Sequence, residues 1–240
     1  MRYLDQIKSI RELAKEPLPP QWLIRGVIPA SGVVVIQGDG SGVESLFAFD
    51  LAMHLSSALP DWFGYPIRPR PNRRSREIIL SSTEHTTQRW LAWGHEYDKF
   101  ASTELRLLKR TAHYNPADSQ DTDKVIRFLT SDGVHGQVLF VDAKPDLQAR
   151  RGVVATNLDR IAKATGGLVV VVDRTDDTRL TDGCDTLIRV SADGGGHSWV
   201  LEGQRNALPN ARVHAFEVAS QVVGDGTLGV FAAPVIRARR

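Results

Sequence analysis

Gly38-Asp39-Gly40-Ser41-Gly42-Val43-Glu44-Ser45 lies between the apolar run Val33-Val34-Val35-Ile36 and the helix-like stretch from Ser45 to Leu59. Its position and glycine content match a phosphate-cradling loop of the pattern G-x-x-x-x-G-K-[ST]. Such a loop works because glycines let backbone N–H groups curl around phosphate while the following helix N-terminus adds positive potential. A lysine then reaches the β- and γ-phosphates and a hydroxyl holds magnesium. Here Gly38 and Ser45 keep the outer positions, but Val43 stands at the second glycine and Glu44 at the lysine. A β-branched residue resists positive φ. A carboxylate turns attraction to phosphate into repulsion; at ~4 Å and an effective dielectric of ~20 one charge pair is worth roughly 4 kcal/mol, and reversing its sign costs about twice that. The residues alone leave three outcomes open: ATP turnover, nucleotide binding without efficient turnover, and a ligand-free glycine-rich turn.

Other chemistry is thinner. Histidines at 54, 85, 95, 113, 135, 197 and 214 form no helical i, i+4 pair and no Cys/His cluster, so no zinc site is expected. No G-x-S-x-G elbow occurs. Trp90, Trp93, Tyr97 and Phe100 follow helical spacing and read as packing, with a base-stacking surface as the alternative. Pro66 to Arg76 places Arg68, Arg70, Arg73, Arg74 and Arg76 in eleven residues, either a solvated loop or a basic arm that touches phosphate. Arg237, Arg239 and Arg240 form a short basic end.

These residues need elements to hold them. The 240-residue chain is 42% hydrophobic and 24% charged, within the globular range, which excludes wholesale disorder and fibrous repeats. Thirty basic residues against twenty-eight acidic ones give a formal charge of +2, too little to announce nucleic acid by itself. The single Cys184 precludes an internal disulfide, no apolar run reaches the ~18 residues of a membrane helix, and the charged N-terminus lacks a signal-peptide core. A cytoplasmic chain without membrane contact is expected.

Leu4, Ile7, Ile10 and Leu13 predict a short amphipathic helix, stopped by Pro17, Pro19 and Pro20. The organisation expected is an N-terminal helix over 1–17 and one domain over 18–240. Continuous apolar runs at 33–36, 77–80, 138–141 and 168–172 read as strands covered on both faces, hence parallel. Helix-like segments at 45–59, 86–100, 123–130 and 157–165 alternate with them, the α/β signature. Short strand candidates at 185–190, 198–202, 212–218 and 228–231 predict an antiparallel extension.

With these residues in view, Pro19-Pro20-Gln21-Trp22-Leu23-Ile24-Arg25-Gly26-Val27-Ile28-Pro29 followed by Gly32 to Gly38 resembles the entry to RepA-like ATPases, RecA-fold proteins of the hexameric plasmid and phage helicase type. One extra residue, Ile24, separates the leucine from the basic position. Ser45 to Ala52 and Trp62-Phe63-Gly64 are similar to later family segments. The resemblance runs from about residue 18 to about 206. It implies a RecA-like P-loop core, with a mainly parallel sheet flanked by helices and an antiparallel C-terminal extension. It implies a nucleotide loop at Gly38, Asp39, Gly40, Ser41, Gly42, Val43, Glu44 and Ser45, and magnesium on Ser45 and Asp142. It also places a water-orienting glutamate at Glu84, a γ-phosphate sensor position at Asp173, and at Arg205 the surviving arginine of a K-x-R segment that reaches a neighbour's nucleotide.

The two lysines this chemistry uses are absent, since Glu44 replaces one and Gly203 and Gln204 stand before Arg205 without the other. Phosphoryl transfer depends on neutralising developing negative charge, so both losses act against turnover. The expectation is a non-hydrolysing pseudo-ATPase that needs no cofactor. It would assemble with itself or with an active relative, with DNA a further partner, in replication or recombination of a mobile element or phage. The alternative is an ATP- and Mg-dependent helicase motor whose missing lysine is replaced by another cation, with Lys144 or the Arg68 to Arg76 arm as candidates. A binder of another small ligand in the old cleft is the third option.

Overall fold

The valine-rich runs lie side by side in one nine-stranded sheet. The computed structural model describes residues 22–57, 59–69, 78–80, 86–97, 105–107, 114–131, 137–143, 150–175, 180–193, 196–204, 213–225 and 229–239. The helix predicted before Pro17 lies outside them.

Six strands run parallel: β3 (Gly32–Gln37), β6 (Ile78–Leu80), β7 (Leu105–Leu107), β8 (Val138–Ala143), β9 (Leu168–Asp173) and β10 (Thr186–Asp193). Three more, β11 (Gly196–Gln204), β12 (Val213–Asp225) and β13 (Gly229–Ala238), continue the sheet as an antiparallel meander. The spatial order is β13-β12-β11-β10-β3-β9-β8-β6-β7, which puts β3 and β9 at the centre. Two small hairpins complete the strands: β1 (Trp22–Ile24) with β2 (Ile28–Pro29), and β4 (Asp61–Trp62) with β5 (Tyr65–Pro66). The last four strands are longer than the sequence predicts, because β12 and β13 pair with each other over ten residue pairs, well past the point where β11 stops.

Alternate residues of the central strands feed two cores, as a pleated sheet requires. Val34, Ile36, Val138, Phe140, Val170 and Val172 pack with helix α1 (Val43–Ser56). Val33, Val35, Leu139, Val141, Val169 and Val171 pack against helix α4 (Arg151–Thr165) through Val154, Leu158 and Ile161. Helix α3 (Ser119–Ser131) adds Leu129 to the second core, and α2 (Thr86–Tyr97) adds Trp93 to the first. Gly32, at φ 104°, opens β3 where a Cβ would run into the Asp185 carboxylate. That carboxylate accepts the Val33 N–H at 2.9 Å and so ties β3 to the approach of β10.

Helix α1 is buried almost all round, so its polar residues need internal partners. Asp50 finds them in two indoles: Trp62 Nε1 donates to Oδ2 at 2.9 Å and Trp93 Nε1 donates to Oδ1 at 3.1 Å. Trp62 reaches Asp50 from the β4–β5 hairpin, whose tip Phe63-Gly64 has positive φ at both residues, 52° and 79°, as a two-residue turn demands. The Trp62-Phe63-Gly64 segment is therefore a clamp on α1. Burial holds the Asp50 carboxyl above its ordinary value, against the opposing pull of His54 and the two indoles. A carboxyl raised in the folded state contributes most below its unfolded value and loses that contribution as pH climbs through the folded one. Asp50→Asn removes this dependence and costs one indole its acceptor, a loss of about 1–3 kcal/mol. Urea denaturation at pH 4.5 and pH 8 should give the larger deficit at pH 4.5; an equal deficit at both would contradict a raised Asp50.

Candidate functional site

Parallel strands deliver their C-terminal ends to one edge, where α/β sheets take ligands. Gln37 at the end of β3 pairs in register with Asp173 at the end of β9, and Asp173 in turn pairs with Ala143 beside Asp142 at the end of β8. The loop 38–42 leaves β3 at this edge and leads into α1, with Gly40 and Gly42 at φ 84° and 90°.

Several of the loop's donors are already occupied by the chain itself. Asp39 Oδ1 accepts the Ser41 N–H at 2.9 Å, Glu44 Oε1 accepts the Gly42 N–H at 3.2 Å, and Ser41 Oγ accepts the Val43 N–H at 3.5 Å. The Glu44 side chain folds back under the loop, fully buried. A Cβ on Gly38 would sit 2.7 Å from its Oε2 and 2.8 Å from its Cβ, so Gly38 makes room for it. Burial raises the Glu44 carboxyl, while the N–H donors and Arg174 pull it back down. Hydrogen bonds from Ser41 hold Asp39 below its ordinary value.

The cation is also internal. Arg174, the residue after β9, donates through Nη2 to Asp142 Oδ2 at 2.7 Å and to Ser45 Oγ at 3.0 Å, and its Nε lies 3.5 Å from Glu44 Oε1. One guanidinium thus joins the hydroxyl and the acid that the resemblance assigns to magnesium with the glutamate at the lysine position. A second arginine, Arg151 at the start of α4, makes a bidentate pair with Asp173 at 2.8 and 2.7 Å. Both side chains are buried, and Asp173 is further held by Thr175 Oγ1 and Gln37 Nε2.

The structure brings Gly38 to Ser45, Asp142 and Asp173 to one edge. Asp173 faces Arg151 within the sheet's own packing. Arg68 is exposed beside β5. Glu84, Lys144, Arg205, Arg70, Arg73, Arg74 and Arg76 lie outside the described residues. Sequence reasoning missed Arg174 and Arg151. Each had a signal: Arg174 directly follows a strand-ending acid, and Arg151 is a cation at a helix N-terminus, where the macrodipole disfavours one unless a buried acid compensates. Among the described residues no cluster of His, Cys, Asp and Glu suited to a metal ion occurs, and no helix is long and apolar enough to cross a membrane.

A family model described as an AAA domain matches residues 2–189. The chain belongs to the AAA domain family. The matched span of this AAA domain ends inside β10, so the three strands of the meander lie beyond it. A KaiC-like protein from the hyperthermophilic archaeon Pyrococcus horikoshii OT3 shares the fold at 10% identity, with a TM-score of 0.54 over 91% of this chain and all of that one. The RadB recombinase aligns at 13% identity with a TM-score of 0.49, over 78% of this chain and 87% of that one. No curated protein matches the chain. The AAA domain here is a RecA-like P-loop fold, a mixed sheet flanked by helices with antiparallel strands at its C-terminal side.

Proposed function

We propose that this AAA domain is a non-hydrolysing, RepA-like ATPase relative that functions as an assembly module. Its nucleotide loop carries its own anion and its own cation. The observation that carries this reading is Arg174, bonded at once to Ser45 and Asp142 and set against Glu44. A magnesium ion would have to displace a guanidinium from both oxygens, and a phosphate would have to displace the Glu44 and Asp39 carboxylates from the loop N–H groups. In this reading the fold's ring-forming edges, not turnover, are the working surfaces. The partner is a second copy or an active relative, and the basic stretch Arg68, Arg70, Arg73, Arg74 and Arg76 adds contact with DNA.

The test is thermal unfolding of the wild type and of a Val43→Gly, Glu44→Lys double variant, each with ATP and magnesium. A ligand at ~100 Kd stabilises the folded state by about 2.7 kcal/mol. We expect no shift in the wild type and a shift of several degrees in the double variant. A wild-type shift would overturn the reading.

A second reading has one observation in its favour: the Arg174 side chain keeps 33% of its surface exposed and sits where a missing lysine would act. In a working ATPase this arginine is the substitute cation, in place of Lys144 or the arginine arm. Magnesium-dependent hydrolysis by the wild type, abolished in Arg174→Ala, would establish it.

A further inference from the structure

One face of the β12–β13 ribbon runs out of cover before the ribbon ends. The register sets Phe216 opposite Ala238, Val218 opposite Ile236, Ser220 opposite Pro234, Val222 opposite Ala232 and Gly224 opposite Val230. Side chains alternate across a strand, so these residues share one face and those between them share the other. The other face packs on α2, where Val223, Ala233 and Val235 are buried with Ala92. The first face divides in two. Phe216, Val218 and Ile236 join the core that holds α1. Farther along, Val222 is 65% exposed and Val230 80%, with Ser220, Gly224, Ala232 and Pro234 exposed beside them. Val230 is more exposed than any other large hydrophobic among the described residues. Apolar residues scattered over a surface are ordinary, whereas a contiguous group marks a contact.

The composition of the face selects its occupant. A two-fold axis sets a patch against itself, so like residues meet and any net charge repels its own copy. Every residue of this face, from Phe216 to Gly224 on β12 and from Val230 to Ala238 on β13, is uncharged, while the other face carries Glu217, Asp225 and Arg237. A charged partner such as nucleic acid finds no counter-charge here, and a second copy needs none. The ribbon also lies beyond residue 189, where the match to the AAA family ends, so its open face is an addition to the shared core.

The mode of contact follows from the same residues. β13 is the outermost strand of the sheet, and Pro234 puts a residue without an N–H on it, which discourages addition of another strand at that edge. Contact is therefore face to face. The open stretch spans the register from Ser220–Pro234 to Gly224–Val230, ~17 Å at about 3.4 Å per residue. A patch of that length buries less than ~1,200 Å² in total, the small end of specific interfaces, where association is transient.

We propose that two copies of this chain pair through the open face of the β12–β13 ribbon, with Val222, Val230, Ala232 and Pro234 of one copy packed on the same residues of the other about a two-fold axis. The inference rests on the assembly reading for its partner and adds the surface; it does not depend on the state of the nucleotide loop.

The experiment is sedimentation velocity on the full chain, from low micromolar to several hundred micromolar. We expect the mass to climb from 26.5 kDa toward twice that value and then stop, because an isologous contact closes at two copies. Val222→Lys with Val230→Lys alters two exposed side chains and leaves the fold intact; like charges across the axis should weaken pairing about a hundredfold. Val222→Glu with Val230→Glu should do the same. Mixing the lysine and glutamate variants should restore the dimer, which a misfolded ribbon could not do. A mixture that stays monomeric would overturn the symmetric contact. Pairing at wild-type strength in the lysine variant would overturn this surface and leave the assembly reading standing, whereas a wild type that stays monomeric throughout would overturn both the proposal and self-assembly. At low concentration the Val222 and Val230 methyl signals should be broadened by a soluble paramagnetic agent. Protected methyls in that monomer would assign the face to the chain's own segment Leu4 to Leu13 and overturn the proposal.

Discussion

Arg151→Met is expected to remove about 3–5 kcal/mol of folding stability, because it leaves the Asp173 carboxylate buried without a counter-charge. Asp173 is fully buried and both of its oxygens accept from Arg151, and the remaining donors, Thr175 Oγ1 and Gln37 Nε2, are neutral. For a chain of this size that loss corresponds to a fall in melting temperature of roughly 10 °C. The cost lies in the stranded charge and not in the lost pair, so Arg151→Met combined with Asp173→Asn should recover more than half of it. Urea denaturation of the two variants and the wild type decides the matter. A single variant within 1 kcal/mol of wild type, or a double variant no better than the single, would show that the pair does not hold β9 to α4 in this way.

Arg174→Ala should act differently, because its site is partly open to water. The arginine side chain is 33% exposed and Asp142 21%, so solvent screens the pair and the expected loss is about 1 kcal/mol. Its pH dependence is the sharper signature. Without the guanidinium, the Glu44 carboxyl, raised by burial, loses the cation that pulls it back down and holds its proton to higher pH in the folded state than in the unfolded one. The folded state then binds more protons, so stability falls as pH rises, and the deficit of the variant should grow between pH 5 and pH 8. Millimolar magnesium should restore part of it at pH 8 by taking the vacated position. Equal deficits at both pH values would mean that Arg174 stabilises by packing alone.

How much of this was legible in the residues differs by element. The central strands were, because Val33 to Ile36 and Leu168 to Val172 are apolar without interruption and only burial on both faces explains that. Glu44 was legible as an anomaly, since it sits at a fixed offset from Gly38 within one segment. Its resolution was not. Arg174 is 130 residues away in sequence from Glu44 and meets it only because β3 and β9 are neighbours in the sheet order. The same holds for Asp50: an acid in the middle of an apolar helix gives no hint that indoles from a hairpin and from α2 will converge on it. The lengths of β12 and β13 were underestimated because their pairing partners are each other, and a ribbon that extends past its sheet has no apolar periodicity on the second face.

The Asp50 clamp also has a spectroscopic consequence. Trp62 and Trp93 are buried, and their indole N–H groups end on the same carboxylate of α1, while the N-terminus of that helix is the self-occupied loop. Indole emission depends on the charge and hydrogen bonding around the ring, so these two chromophores are wired to the helix that carries the loop. The molecule therefore has a label-free optical gauge: a shift of α1, driven by a partner or by opening of the Arg174 contact, changes the colour and yield of its intrinsic fluorescence without any dye or substrate.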